Sequence, residues 1–326
     1  MIGEIISHIV DQSSPRRALL RDARTRPAGA AVSTGRRTCF DGRAGILLDI
    51  LVFGVMLVSA ALHATWNAWV KSRADSTGAI SALVIGAGIP NLAVLAVFGF
   101  PGLQAWGWIA ATVALSIASL HLISLAYREG DFAVAYPLVR GFIPVVLTVA
   151  AIPLFGERPS LAQGLGVLCV SAGLGVIAWE SSMRSRTMTL KGVGLAVMTA
   201  GLTALAALTD AKGARLSESS FSYAATISVL NGVFMALFQR TRGHRVGAML
   251  MRHWPILTFG ACLSVVSYTL YIWALMQAPV GLVSALRETS MVFAILIAAL
   301  VLRERVGPWR WGAVAVMVCG MMLIRL

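Results

Sequence analysis

Two arginines stand where a membrane-spanning segment ordinarily holds no charge. Arg140 is the single charge between Phe132 and Phe155 in DFAVAYPLVRGFIPVVLTVAAIPLFGER (131–158), and Arg287 lies inside VGLVSALRETSMVFAILIAALVLRER (280–305). A charge inside such a run is costly and marks function. Arg140 sits about eight residues into its segment, roughly 12 Å at 1.5 Å per residue, near the middle of a hydrocarbon core about 30 Å thick. Arg287 sits about six residues into its own. A guanidinium recognises carboxylate or phosphate with a planar, two-pronged fork, so an anion held between the two would offset their desolvation. The alternative is neutralisation by the protein, Arg140 by a carboxylate across the bundle and Arg287 by Glu288 or Asp210. Adjacent helical positions point about 100° apart, which makes Arg287 and Glu288 poor partners for each other. Glu288 is then the buried carboxylate best suited to an ammonium or a proton. Asp210, which reads as lying at a helix end, comes second.

Other polar residues in apolar runs are candidates for a pocket lining: His63 and Asn67 in the first run, Tyr268 and Tyr271 in the eighth. Trp66, Ser119, His121, Ser124, Asn231, Ser264 and Ser267 join them, although each alone suits an interhelical hydrogen bond. Pro90, Pro137 and Pro144 each remove a backbone donor within a run, as in the broken helices of transport sites. There is no G-x-x-x-x-G-K-[ST], H-E-x-x-H or G-x-S-x-G, so neither a nucleotide nor a hydrolytic centre is expected. Cys39, Cys169, Cys262 and Cys319 form no C-x-x-C, and free thiols, no metal and no cofactor are expected.

The elements that carry these residues follow from composition. With 58% hydrophobic residues, 13% charged and a mean hydropathy of +0.80, the chain is an integral membrane protein. The apolar runs last about 20 residues, the length of helices rather than of barrel strands. Ten are expected: 47–69, 78–98, 105–126, 132–155, 161–179, 190–209, 220–238, 255–275, 281–302 and 308–325. They divide into two fives, 46–179 and 190–326, joined by ESSMRSRTMTLK (180–191). Because five is odd, the second copy enters the membrane from the opposite side. The expected architecture is therefore all-α, ten transmembrane helices as two inverted five-helix repeats. The interval from Arg140 to Glu157, 17 residues, recurs from Arg287 to Glu304, as one unit copied within the chain would give. Glu157 and Glu304, each followed by arginine, read as interfacial ion pairs closing helical hairpins. Residues 1–45 hold eight arginines and no apolar periodicity, and read as a disordered basic arm or a mis-assigned start. The net charge of +13 comes from that arm and short loops, so the partner is a lipid bilayer and not nucleic acid. Short-loop charges would put both termini outside, and the arm would pull the N-terminus inside.

The plan as a whole, with LAYREGDFAVAYPLVRGFIPVVLTVAAIPLFGERPS (125–160) in one half and RETSMVFAILIAALVLRER (287–305) in the other, resembles the EamA group of the drug/metabolite transporter superfamily over about 47–326. The resemblance implies a ten-helix carrier with a central cavity, a metabolite or amino-acid exporter of the bacterial inner membrane and not an enzyme. Plastid triose-phosphate translocators, distant relatives, hold phosphate with basic residues on their fourth and ninth helices, and Arg140 and Arg287 fall in comparable places. Where that group has two adjacent basic residues, this chain has Arg287-Glu288, which favours a zwitterion such as an amino acid. The expected function is secondary transport of a small anionic or zwitterionic metabolite, coupled to protons or a counter-substrate. Arg140 and Arg287 would bind the anionic group, Glu288 would meet an ammonium or a proton, and His63, Asn67, Tyr268 and Tyr271 would line the pocket. The alternatives are a membrane-embedded structural or regulatory subunit, and a lipophilic-drug exporter, whose cavity would be aromatic and free of buried arginine.

Overall fold

A backbone in lipid has no water to satisfy its N–H and C=O groups, so an apolar chain of this kind must make its hydrogen bonds within helices. The computed structural model describes residues 42–73, 75–128, 132–184, 190–301 and 303–325, and every regular element in them is helical. In chain order these are α1 Gly42–Lys71, α2 Ser76–Phe98, α3 Leu103–Arg128, α4 Phe132–Phe155, α5 Leu161–Arg184, α6 Leu190–Ser217, α7 Ser220–Thr241, α8 Val246–Arg252, α9 Ala261–Gln277, α10 Val280–Glu288, α11 Ser290–Leu300 and α12 Pro308–Arg325. A π-helical turn, Ile256–Gly260, runs into α9. Residues 48–326 form one compact unit. Among the described residues, 7 helices are long and apolar enough to cross a bilayer, and Leu103–Ser119 and Val139–Phe155 are shorter apolar helices. The expected basic arm lies outside the described residues up to 41, as do the middle of the 180–191 connector and the side chains of His121 and Ser124.

The helix ends are set by local chemistry. Ser160 and Gln163 exchange hydrogen bonds, Ser160 N–H to Gln163 Oε1 at 3.0 Å and Gln163 N–H to Ser160 Oγ at 3.2 Å, a capping box at the start of α5. Asp75 caps α2, its Oδ1 accepting the Gly78 N–H at 2.9 Å, and its Oδ2 lies 3.2 Å from His253 Nε2. The Gly78 bond is the main cause holding the Asp75 carboxyl below the usual carboxylate range, and His253 adds to it. Gly156, at φ 68°, ends α4 in the left-handed region, and the Glu157 N–H reaches back to the Ala151 carbonyl.

That turn corrects the expectation for Glu157. Its carboxylate pairs with Arg215, at the end of α6, at 3.1 Å, and accepts the Val280 N–H at 2.9 Å, filling an otherwise unmet donor at the start of α10. Arg215 also donates to the carbonyls of Leu275 and Ala278 at 3.0 and 3.1 Å. The ends of α4, α6, α9 and α10 are thus gathered at one node. Arg158 takes no part because the αL turn rotates Glu157 inward, away from its neighbour.

Two further departures concern where helices continue. α4 runs unbroken through Pro137, Pro144 and Pro153, whereas the interruption falls at Thr289, between α10 and α11. There the Thr289 hydroxyl and N–H both return to the Leu286 carbonyl, at 2.6 and 3.2 Å, tightening the turn and ending the ladder. α6 continues past 209 to Ser217, so Asp210 lies within a helix and not at its end. Ala207, Ala211 and Ala214 are buried along it, and that small-residue stripe outweighs the intervening Lys212 and Arg215.

Small residues also set the closest crossings. A Cβ on Gly320 of α12 would fall 2.7 Å from the Gly166 carbonyl of α5 and 2.9 Å from Cys169 Cβ, whereas one on Gly164 would meet nothing within 4 Å. Gly320→Val should therefore lower stability by about 1–3 kcal/mol through overpacking, while Gly164→Ala should leave it unchanged or raised. Thermal unfolding of the two variants in detergent checks the contrast. Asp75 gives a second test. A carboxyl with a depressed folded pKa stabilises fully above its unfolded value, about 3.9, and loses that contribution as pH falls through the folded value. Unfolding temperature measured against pH should fall in that acid window, and Asp75→Asn, which caps without titrating, should flatten the fall; Asp75→Ala should cost about 1 kcal/mol at neutral pH.

Candidate functional site

Eight helices, α1–α4, α6, α7, α9 and α10, line a cavity of about 420 Å3. Each presents residues at helical spacing. Thr199, Thr203, Ala206 and Asp210 form one stripe of α6, Ser264, Tyr268 and Tyr271 one stripe of α9, and Ser284, Arg287 and Glu288 one stripe of α10. His63 and Trp66 enter from α1 and Arg140 from α4. The size is that of a small-molecule pocket.

The wall carries both signs of charge. Arg140 Nε lies 2.5 Å from Glu288 Oε2, and the two residues are 9% and 4% exposed, so the pair is desolvated. Pro144, four residues beyond Arg140, has no N–H to give to the Arg140 carbonyl. Arg287 points elsewhere, its guanidinium 4.0 Å from the centroid of the Tyr271 ring. A cation over an aromatic face is attracted by the ring quadrupole, more strongly when desolvated. Asp210, 6% exposed, accepts hydrogen bonds from the Tyr268 hydroxyl at 3.1 Å and the Tyr223 hydroxyl at 3.4 Å. The His63 ring meets Trp66 edge-on at 4.8 Å and lies within the fields of Arg140 and Arg287. Just outside the charges, Ser59 of α1 and Ser267 of α9 donate to each other's backbone carbonyls, both at 2.8 Å.

Of the residues singled out from sequence, the structure brings His63, Arg140, Tyr268, Tyr271, Arg287 and Glu288 to one cavity, with Asp210, Asn231, Ser264 and Ser267. Asn67 is not among the lining residues: its amide donates to the His63 carbonyl one turn back at 2.8 Å, the local bond open to an asparagine inside a helix. The sequence reading passed over Ser116, Thr199, Thr203, Ser228 and Ser284, which line the cavity. Small hydroxyl residues are common in tightly packed membrane helices, and only a shared stripe with a charge, such as Thr199, Thr203 and Asp210, distinguishes them. Among the described residues, no group of three or more His, Cys, Asp or Glu side chains could hold a metal ion.

Set against known proteins, residues 190–326 match the EamA-like transporter family. No curated protein matches the chain. A solved structure, described only as the crystal structure of a protein, has a TM-score of 0.66 and 17% identity, over 86% of this chain and 98% of its own. That likeness concerns the fold. The family match and the membrane-length helices make this a multi-pass membrane protein.

Removing one member of the Arg140–Glu288 pair takes the opposite charge from the other in a desolvated site. Arg140→Gln and Glu288→Gln should each cost about 3–5 kcal/mol, and the double variant should be more stable than the sum of the two losses implies. Unfolding of the four proteins in detergent reads this directly; additive losses would show that the pair is not energetically coupled.

Proposed function

We propose, from the premise that residues 190–326 belong to the EamA-like transporter family, within the EamA group of the drug/metabolite transporters, that this protein is a secondary transporter of a small anionic or zwitterionic metabolite such as an amino acid. The observation that carries the reading is the 420 Å3 cavity, walled by Arg140, Arg287, Asp210 and Glu288. A cavity for lipophilic drugs would have little use for four ionisable side chains. The protein is a carrier and not an enzyme, and its membrane is the bacterial inner membrane.

The architecture proposed is ten spanning helices in two inverted repeats, 46–179 and 190–326, the span 280–300 being α10 and α11 together. Two features support it. Several packing pairs are unchanged when the halves are exchanged: α2 meets α7, α4 meets α10 and α5 meets α12, and α1 is bonded to α9 through Ser59 where α6 packs on α3. Each of these last two carries a hydroxyl pair, Ser59 with Ser267 and Thr112 with Thr209, the latter at 2.7 Å. The closing turns also repeat. Arg303, at φ 54°, occupies the place of Gly156, and the Glu304 N–H reaches the Ala298 carbonyl as the Glu157 N–H reaches Ala151. Rocking of two such halves about the cavity would give alternating access.

The reading predicts that amino acids or small carboxylates raise the unfolding temperature of the purified protein, since a ligand of the folded state stabilises it by mass action. Arg287→Gln should weaken that binding about tenfold to a hundredfold, the worth of a charge-assisted hydrogen bond, without loss of folding. Counterflow of the stabilising compound in proteoliposomes should fall in parallel. Stabilisation by lipophilic cations alone, or none by any charged metabolite, would overturn the assignment.

A further inference from the structure

The four charges at the cavity wall are held in two different ways. Arg140 and Glu288 are ion-paired at 2.5 Å. Asp210 has no cation within ion-pair distance among the described residues: two tyrosine hydroxyls hold it, Tyr268 at 3.1 Å on Oδ2 and Tyr223 at 3.4 Å on Oδ1. The Thr112 hydroxyl is a third donor to it, and since a carboxylate has about four lone-pair sites, three donors leave one acceptor position toward the cavity. At 6% exposure, that carboxylate is nearly removed from water. Arg287 lies over the Tyr271 ring and also hydrogen-bonds the Tyr271 side chain, and it has no carboxylate within ion-pair distance among the described residues, so N–H groups not used by Tyr271 can meet a substrate carboxylate. The two tyrosines that support these groups are three residues apart on α9, with ring centroids 6.3 Å apart. A carboxylate acceptor on α6 and a guanidinium donor on α10 are therefore steadied by two neighbouring tyrosines of α9 at the wall of one cavity.

We infer that Asp210 and Arg287 form a zwitterion subsite, Asp210 receiving the substrate's ammonium and Arg287 its carboxylate, while Arg140–Glu288 stays an internal pair. The sequence reading assigned the ammonium to Glu288, but the structure gives Glu288 a cation of its own. A substrate with both charges a few bonds apart would bridge the two groups, donating to Asp210 beside the Tyr268 hydroxyl and accepting from the guanidinium edge. The subsite rests on the transport reading above and narrows it to compounds that carry an amine next to an acid.

The test uses the full-length protein in detergent. Each amino acid that raises the unfolding temperature is compared with its deaminated acid and its decarboxylated amine. The intact amino acid should bind the parent at least tenfold more tightly than either half. Asp210→Asn, nearly isosteric, keeps one oxygen to accept from one tyrosine and offers its NH2 to the other tyrosine's hydroxyl oxygen, and it should lose the preference over the deaminated acid. Arg287→Gln should lose the preference over the amine, and Gly164→Ala, away from the cavity, should leave both preferences. If Asp210→Asn does not fold, the same ratio in Tyr268→Phe decides, and a reduced preference for the amine-bearing compound is expected. An unchanged preference in Asp210→Asn or Tyr268→Phe overturns the subsite. A parent that binds carboxylates with or without an amine overturns the subsite and leaves the transport reading standing, whereas a parent stabilised by no charged metabolite overturns both.

Discussion

The structure depends on how four charges are accommodated where water is scarce, above all on the contact of Arg140 with Glu288. A buried ion pair adds little net stability, because desolvation cancels much of its attraction. Its effect is to forbid other arrangements. Sliding α4 by one turn along α10 would separate two desolvated opposite charges, so the pair favours the observed register of that crossing. The neighbouring contacts agree with this register. Gly281 of α10 leaves no room for a Cβ against Thr148 of α4, and Gly141, beside Arg140, lets α4 close on Leu174 of α5. A polar constraint and a steric one thus fix the same helix pair, and that pair forms one wall of the cavity.

Much of this was legible in the sequence, and the reason is physical. In a membrane the apolar runs must be helices, so composition and run length located α4 at 132–155 and α12 at 308–325, as found. The rarity of charge in such runs marked Arg140, Arg287 and Glu288, and all three line the cavity. The angular argument that separated Arg287 from Glu288 also held, since one faces Tyr271 and the other Arg140. Which carboxylate meets Arg140 could not be read, because local periodicity says nothing about which helix lies opposite.

Three misreadings share a cause. Asp210 was placed at a helix end because the polar run from Asp210 to Arg215 resembles a loop, yet Ala207, Ala211 and Ala214 carry the buried face onward, and Arg215 reaches past it to Glu157. The prolines of α4 suggested a break, yet a neighbour-packed membrane helix tolerates a missing N–H. The interruption came at Thr289, whose short hydroxyl competes with the backbone for the Leu286 carbonyl. Glu157 reads as an ion pair closing its own hairpin, and it does form an ion pair, but the αL residue at Gly156 turns it toward Arg215 and Val280 of other helices. In each case a single hydrogen bond or a stripe of small side chains outweighed residue polarity, which is the signal that sequence reading weighs most.

The charge balance bears on the proposed substrate class. With His63 set aside, the wall holds two guanidiniums and two carboxylates, a formal balance of zero. An inorganic anion entering such a site would leave a net negative charge in a low-dielectric space, and only one guanidinium has its edge free of a carboxylate in the wall. A zwitterion adds no net charge: it would place its acid on Arg287 and its amine on Asp210, so that each of these two groups meets an opposite charge. Desolvation weighs less when both ends of the ligand meet their complements together, and this favours a compound with adjacent acid and amine over a simple anion.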